Sequence, residues 1–258
     1  MKSIKPWMAP VVALLCITGV HAAEMDKANV IRDYTDTVAP ADQQAYEAGV
    51  KSYNQCLSQH GFKYTWTAVL HETGDTYQYS YVSEPSTWGS FDAMHTTGMA
   101  CDAVWRKDVN PHLKSETSAF LVRAPELTYM PAGMSPAAPL TEVTYFKLKP
   151  GHEASEAFTN AAKKIAAAAE KSKWPAHFMV LKVKDGGQGS PDFIVVSYSK
   201  SWADFGEDAN PPLWKMVENN YGKQDTAALR KSLNDAIQDV SSHVDSYSVD
   251  LTYQPSHK

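Results

Sequence analysis

Ser86-Thr87-Trp88-Gly89-Ser90-Phe91-Asp92 (STWGSFD) and Ser201-Trp202-Ala203-Asp204-Phe205-Gly206 (SWADFG) place the same Trp-x-x-Phe spacing in the two halves of the chain. Leu127-Thr128-Tyr129-Met130-Pro131 and Leu251-Thr252-Tyr253-Gln254-Pro255 follow in the same order. Each match is short, so its weight comes from position. Both pairs fall at the same place in a common series of elements, which is the mark of a duplicated unit.

The second copy shows that series clearly. Glu142 to Lys149 (EVTYFKLK) alternates and is rich in β-branched and aromatic residues, which predicts a strand ended by Pro150-Gly151. Glu153 to Lys171 is Ala-rich, with Phe158, Ala162, Ile165 and Ala169 on one helical stripe. Phe178 to Lys184 and Asp192 to Ser199 predict two strands around a glycine-rich turn. A helical region is expected from about Pro212 to Val240, and a last strand over Asp245 to Tyr253.

The first copy repeats this order: strand Val30 to Val38, helix Pro40 to His60 with Tyr46, Val50, Tyr53 and Leu57 on its buried stripe, and paired strands Tyr64 to Glu72 and Thr76 to Ser83. A second helix is expected near Gly98 to Val109, then a last strand over Thr117 to Ala124 and Leu127 to Tyr129. Each copy therefore reads βαββαβ, and the second carries a short insertion between its Trp-x-x-Phe and its final strand. Trp-x-x-Phe follows the third strand in both copies, where it predicts one turn of helix whose two rings plug the end of the core.

The reading divides the chain into a signal peptide over residues 1–22, a first ferredoxin-like repeat over 23–131, a proline-rich connector over 132–139 and a second repeat over 140–258. Lys2 and Lys5, the apolar run Pro10 to Val20 and Val20-His21-Ala22 suit export and cleavage, so a periplasmic or secreted location is expected. Cys16 raises a lipoprotein alternative, against which Leu15 stands. No later stretch is long and apolar enough to span a bilayer, so no membrane association is expected after cleavage.

With 24 Lys+Arg against 29 Asp+Glu, the chain has a formal net charge of −5 and lacks the basic footprint of a nucleic-acid binder. Cys56 and Cys101 remain after cleavage, and an even pair in an exported chain predicts one disulfide. The topology supports that pairing. Cys56 lies in the last turns of the first helix and Cys101 near the start of the second, and in a βαββαβ unit those two ends meet.

Two such units in one chain resemble the dimeric α+β barrel superfamily, of the antibiotic-biosynthesis-monooxygenase type, with nearly all of the mature segment covered. The resemblance rests on element order and the duplicated segments. It implies an α+β fold in which two tandem ferredoxin-like sheets close face to face into an intrachain barrel; two repeats that do not close remain the alternative. It also implies a monomer with an internal pseudo-dimer. The superfamily includes cofactor-free monooxygenases, muconolactone-isomerase-like enzymes and haem-containing chlorite dismutase relatives, but none of their active-site motifs is present to be carried over.

If the barrel closes, the sheet faces turned away from the helices line its interior, the expected ligand site. Alternation puts Tyr77, Tyr79 and Tyr81 on one face, Arg32 and Tyr34 on one face of the first strand, and Trp66 on a neighbouring strand. Together they predict an aromatic pocket with polar tips for a planar or moderately apolar small molecule. His71 is the candidate general base, although a histidine at a strand end beside a turn is ordinarily solvated. The other histidines, His243 among them, share no ligand spacing, so no metal, haem or other cofactor is predicted. The functions expected are an exported small-ligand-binding protein, a cofactor-independent monooxygenase or isomerase, or a structural protein that docks a partner.

Overall fold

The computed structural model describes residues 28–131 and 138–255. The expected signal segment lies outside the described residues, as does most of the connector. In chain order the first repeat contains β1 (Val30–Val38), α1 (Gln43–Gln59), β2 (Trp66–His71), β3 (Gln78–Ser83), α2 (Trp88–Gly98) and β4 (Leu113–Arg123). The second contains β5 (Leu140–Leu148), α3 (His152–Ser172), β6 (Phe178–Asp185), β7 (Phe193–Ser199), α4 (Trp202–Phe205), α5 (Leu213–Tyr221), α6 (Lys223–Ala236) and β8 (Ile237–Tyr253). Among the described residues no helix is long and apolar enough to cross a membrane.

Eight antiparallel strands close a barrel in the order β1-β3-β2-β8-β5-β7-β6-β4. Within each repeat the order is that of a ferredoxin-like sheet, β4-β1-β3-β2 and β8-β5-β7-β6. The seams are β2 with β8 and β4 with β6. The second strand of each repeat thus pairs with the last strand of the other, as a pseudo-twofold axis requires. Among the described residues, closure leaves no free sheet edge for a partner strand.

The duplicated segments serve the seams. Tyr253 pairs with Trp66 and Tyr129 with Phe178. Ahead of each tyrosine a threonine bridges the irregular register: Thr252 Oγ1 accepts the Ala68 amide at 2.9 Å, and Thr128 Oγ1 accepts the Val180 amide at 2.9 Å. Leu127 and Leu251 are fully buried.

Trp-x-x-Phe does start a helix in both repeats, with Thr87 and Ser201 accepting from the amides of Ser90 and Asp204 as N-caps. The expected plugging role is corrected, since Trp88 and Trp202 are 51% and 53% exposed. The second helix of the first repeat starts ten residues earlier than expected, at Trp88, and short helical turns continue it to His112. The helix expected to reach Val240 ends at Ala236. Ile237 and Val240, which with Leu229 and Leu233 fit a helical apolar stripe in the sequence, instead pair with Leu148 and Phe146 in a strand.

The insertion in the second repeat forms α5, whose buried Met216 and Val217 join Phe158, Trp174 and Phe193 in a filled core between sheet and helices. The first repeat has only the turns 99–112 at that place in the chain. There α1 packs so closely on the wide turn Trp105–Val109 that a Cβ on Gly49 would lie 2.0 Å from the Asp108 carbonyl oxygen. Cys56 and Cys101 are bonded, with their Cα atoms 5.9 Å apart, and tie the end of α1 to the turn after α2.

Candidate functional site

A cavity of about 500 Å³ lies between the sheet and the helices of the first repeat. Its floor is the helix-facing row of the strands: Arg32, Tyr34 and Asp36 of β1, Trp66 of β2, Tyr81 of β3, and Glu116 and Phe120 of β4. Registers explain the convergence, because Arg32 lies opposite Phe120, Tyr34 opposite Tyr81, and Asp36 opposite Glu116. Tyr53 and Leu57 of α1, Met94 of α2 and Trp105 of the following turn complete the wall.

Arg32 is the cavity's fixed cation. Its guanidinium carbon sits 4.2 Å from the centroid of Phe120 and 4.7 Å from that of Tyr34, an arrangement that favours charge over ring faces. Its Nη2 donates to Ser118 Oγ at 2.9 Å, while its buried Nε has no hydrogen-bond partner. Asp36 is fully buried and accepts from the Tyr46 hydroxyl at 2.6 Å, and its Oδ1 is without a partner. Burial pushes this carboxyl up to about 7; Glu116 across the ladder adds to the rise and the Tyr46 bond opposes it. A buried carboxyl that titrates near neutrality is a candidate to hold or exchange a proton.

The barrel interior is a different place. Ile31, Leu121, Leu181 and Ile194 pack there, with Val143, Tyr145 and Val196 against them. Beside them stands a polar cluster of His71 on β2, Ser80 on β3, and His243 and Asp245 on β8. The imidazoles of His71 and His243 stack with centroids 4.0 Å apart. Asp245 Oδ1 lies 3.0 Å from His243 Nε2 and 3.7 Å from His71 Nε2, which also meets Ser80 Oγ at 3.0 Å. Asp33 faces this cluster, its carboxyl raised to about 7 by burial and then by Asp245, with His243 and Arg32 opposing. Burial lowers the pKa of His71, with Asp245 opposing.

The structure corrects the sequence expectation of an interior pocket. Arg32, Tyr34, Trp66 and Tyr81 are brought together, but on the helix-covered face of the sheet. Both faces of a closed, helix-wrapped sheet are buried, so alternation groups residues on a face without saying which face is inside. Tyr79 lies on the helix-covered side and donates to Glu47 at 2.9 Å, away from the cavity wall. Tyr77 precedes β3 and is exposed. His71 was expected to be solvated and is instead 6% exposed inside the barrel, outside the cavity. His243 and Asp245 were missed as its partners. Their i, i+2 spacing on a strand was the available signal, hidden because the strand was expected to start at Asp245. Asp36 and Glu116 were missed because a cross-strand carboxyl pair leaves no local motif.

The sequence matches no family model and no curated protein. Solved structures share the fold at low identity. A candidate monooxygenase from Lactobacillus acidophilus has 11% identity and a TM-score of 0.54 over 88% of this chain and 96% of its own. An anthrone oxidase-like protein has 13% identity and a TM-score of 0.54 over 87% and 93%. A chlorite dismutase variant from Candidatus Nitrospira defluvii has 13% identity and a TM-score of 0.53 over 88% and 94%. Strand order and these likenesses agree: the chain has the dimeric α+β barrel fold, with both halves of the barrel on one polypeptide.

Proposed function

We propose that the protein is an exported monomer that binds a planar, largely apolar small molecule carrying an acceptor oxygen, in the cavity of its first repeat. The observation that carries this reading is the 500 Å³ cavity walled by Tyr34, Tyr53, Trp66, Trp105 and Phe120 around a single arginine with an unpaired Nε–H. The volume falls in the range of small-molecule pockets, and apolar walls with a few convergent polar groups are their usual composition. A carboxylate, phenolate or quinone oxygen facing Arg32 would satisfy the buried donor. Export is supported by the leader-like first residues and by the Cys56–Cys101 bond, which an oxidising compartment sustains. A monomer is supported by closure of the barrel within one chain.

Calorimetric titration with anthraquinone-2-carboxylate, naphthoate and hydroxybenzoates tests the reading. Saturable binding that Arg32→Met weakens about tenfold or more is expected, the loss of one charge-assisted contact. Failure of every planar acid, phenol and quinone tried to bind would reject it.

A second reading, catalysis in the same cavity, is favoured by Asp36. A carboxyl near neutrality beside a bound phenol or anthrone-like carbon acid is suited to remove a proton. The likeness to a candidate monooxygenase and an anthrone oxidase-like protein supports the same class. In this reading Asp36 takes the role expected of His71, which lies outside the cavity. Turnover of a bound ligand that Asp36→Asn abolishes while leaving its affinity intact would support it; equal turnover by the variant would remove Asp36 from the chemistry.

A further inference from the structure

We propose that the barrel interior is a divalent transition-metal site, with His71 Nε2, His243 Nε2 and one carboxylate oxygen of Asp245 as ligands. Two imidazoles and one carboxylate are the donor set that zinc and non-haem iron take, with further positions left open to water or other ligands. The three donor atoms lie within 4.8 Å of one another. The separations of 3.0 Å and 3.7 Å from Asp245 Oδ1 bracket the spacing of about 3.3 Å between neighbouring tetrahedral ligands when each bond is about 2 Å.

A second observation points to a missing cation. Asp245 is 3% exposed, and its Oδ1 has no hydrogen-bond partner; His243 Nε2, though 3.0 Å away, is not aligned to donate to it and has no partner of its own. Two buried polar atoms at one place thus lack a hydrogen bond, and because the two imidazoles stack at 18° one ring turns out of the stack when both bind a shared ion. Leaving them so is costly, whereas a shared ion would use both. Asp33 brings a second carboxyl group to the same cluster.

The surroundings suit a metal. Ser80 Oγ, which His71 Nε2 would exchange for the ion, is itself 2.9 Å from Thr35 Oγ1 and keeps a partner after the exchange. His243 retains 12% side-chain exposure and lies beside Gly74 of the β2–β3 turn, so the cluster sits near one end of the barrel. The ligands come from β2 and β8, one strand from each repeat at a seam, and His71 stands directly opposite Asp245 in the register. A bound ion would therefore clamp the two repeats together.

The test uses the full chain, stripped with chelator and titrated with Zn²⁺ or Co²⁺ alone. The wild type is expected to bind a single saturable equivalent, to gain thermal stability with it, and to give a visible cobalt spectrum with nitrogen coordination. Asp245→Asn and His243→Gln should each weaken binding by more than about tenfold. His112→Ala, a histidine near Asp42 at the surface, should leave binding unchanged. Absence of saturable binding by the wild type, or undiminished binding by the His243→Gln/Asp245→Asn double variant, would overturn the proposal. If the variants do not fold, X-ray absorption of the loaded wild type decides, with scattering from two imidazoles expected and an oxygen-only shell contradicting the assignment.

Discussion

Thr128 and Thr252 make the same pair of hydrogen bonds at opposite seams of the barrel. Each hydroxyl accepts a strand amide from the other repeat, Val180 or Ala68, and donates to a carbonyl four residues upstream, Ala124 at 2.9 Å or Ser248 at 2.7 Å. The duplicated Leu-Thr-Tyr is thus a seam device. Thr128→Val and Thr252→Val should each lower the unfolding free energy in urea by about 1–3 kcal/mol, since each orphans a buried amide. Serine at either position should recover most of the loss.

The Cys56–Cys101 bond joins two walls of the cavity, because Leu57 of α1 and Met94 of α2 flank it and line the space. It closes 45 residues, so replacing both cysteines by serine should cost about 4 kcal/mol by the loop-entropy estimate. Ligand affinity should fall with it. Denaturation and calorimetry on the same samples check both effects.

Asp36 predicts a pH dependence with a definite sign. Its folded pKa of about 7 lies above the ordinary 3.8, so the folded state holds a proton that the unfolded state has released between those values. Stability contributed by this group is therefore fully present near pH 4 and is lost as pH rises towards 7, by an amount on the order of a few kcal/mol. Asp36→Asn should flatten that fall, so that the variant is relatively more stable than the wild type at pH 8 and not at pH 4. Melting curves at the two pH values measure it.

The two tryptophans of the repeated motif should behave differently. Trp88 packs against Phe120 in a tilted pair with centroids 5.0 Å apart, and Phe120 lies under Arg32, so Trp88→Ala should loosen the cavity wall and weaken ligand binding several-fold. Trp202 packs on Phe205, itself exposed. Trp202→Ala should change stability by less than about 1 kcal/mol and leave binding intact.

These cases show why the fold was legible and the site only partly so. Strand and helix periods are local, and the repeated Leu-Thr-Tyr and Trp-x-x-Phe sit at equivalent joints, so βαββαβ twice could be read from the residues. Helix ends were less legible: Leu229, Leu233, Ile237 and Val240 fit a helical stripe, yet the last two are held in β8 by pairing with β5. Of the six residues grouped from the sequence, Arg32, Tyr34, Trp66 and Tyr81 meet at one cavity and Tyr77 and Tyr79 do not, and the side they face depends on where the helices pack. Asp36 with Glu116, and His71 with His243 and Asp245, meet only through barrel registers. Why the first repeat keeps open space follows from the missing counterpart of α5; the insertion was legible in the sequence, but that it packs Met216 and Val217 into the core shows only in the packing.

If the ligand lies between the sheet and the helices of the first repeat, amide and side-chain NMR shifts during titration with anthraquinone-2-carboxylate will centre on Arg32, Tyr34, Tyr53, Trp66 and Trp105. Ile31, Leu181 and Ile194 of the barrel interior are expected to stay unmoved. Shifts confined to the interior residues, or to Phe158 and Trp174 of the second repeat, would contradict it.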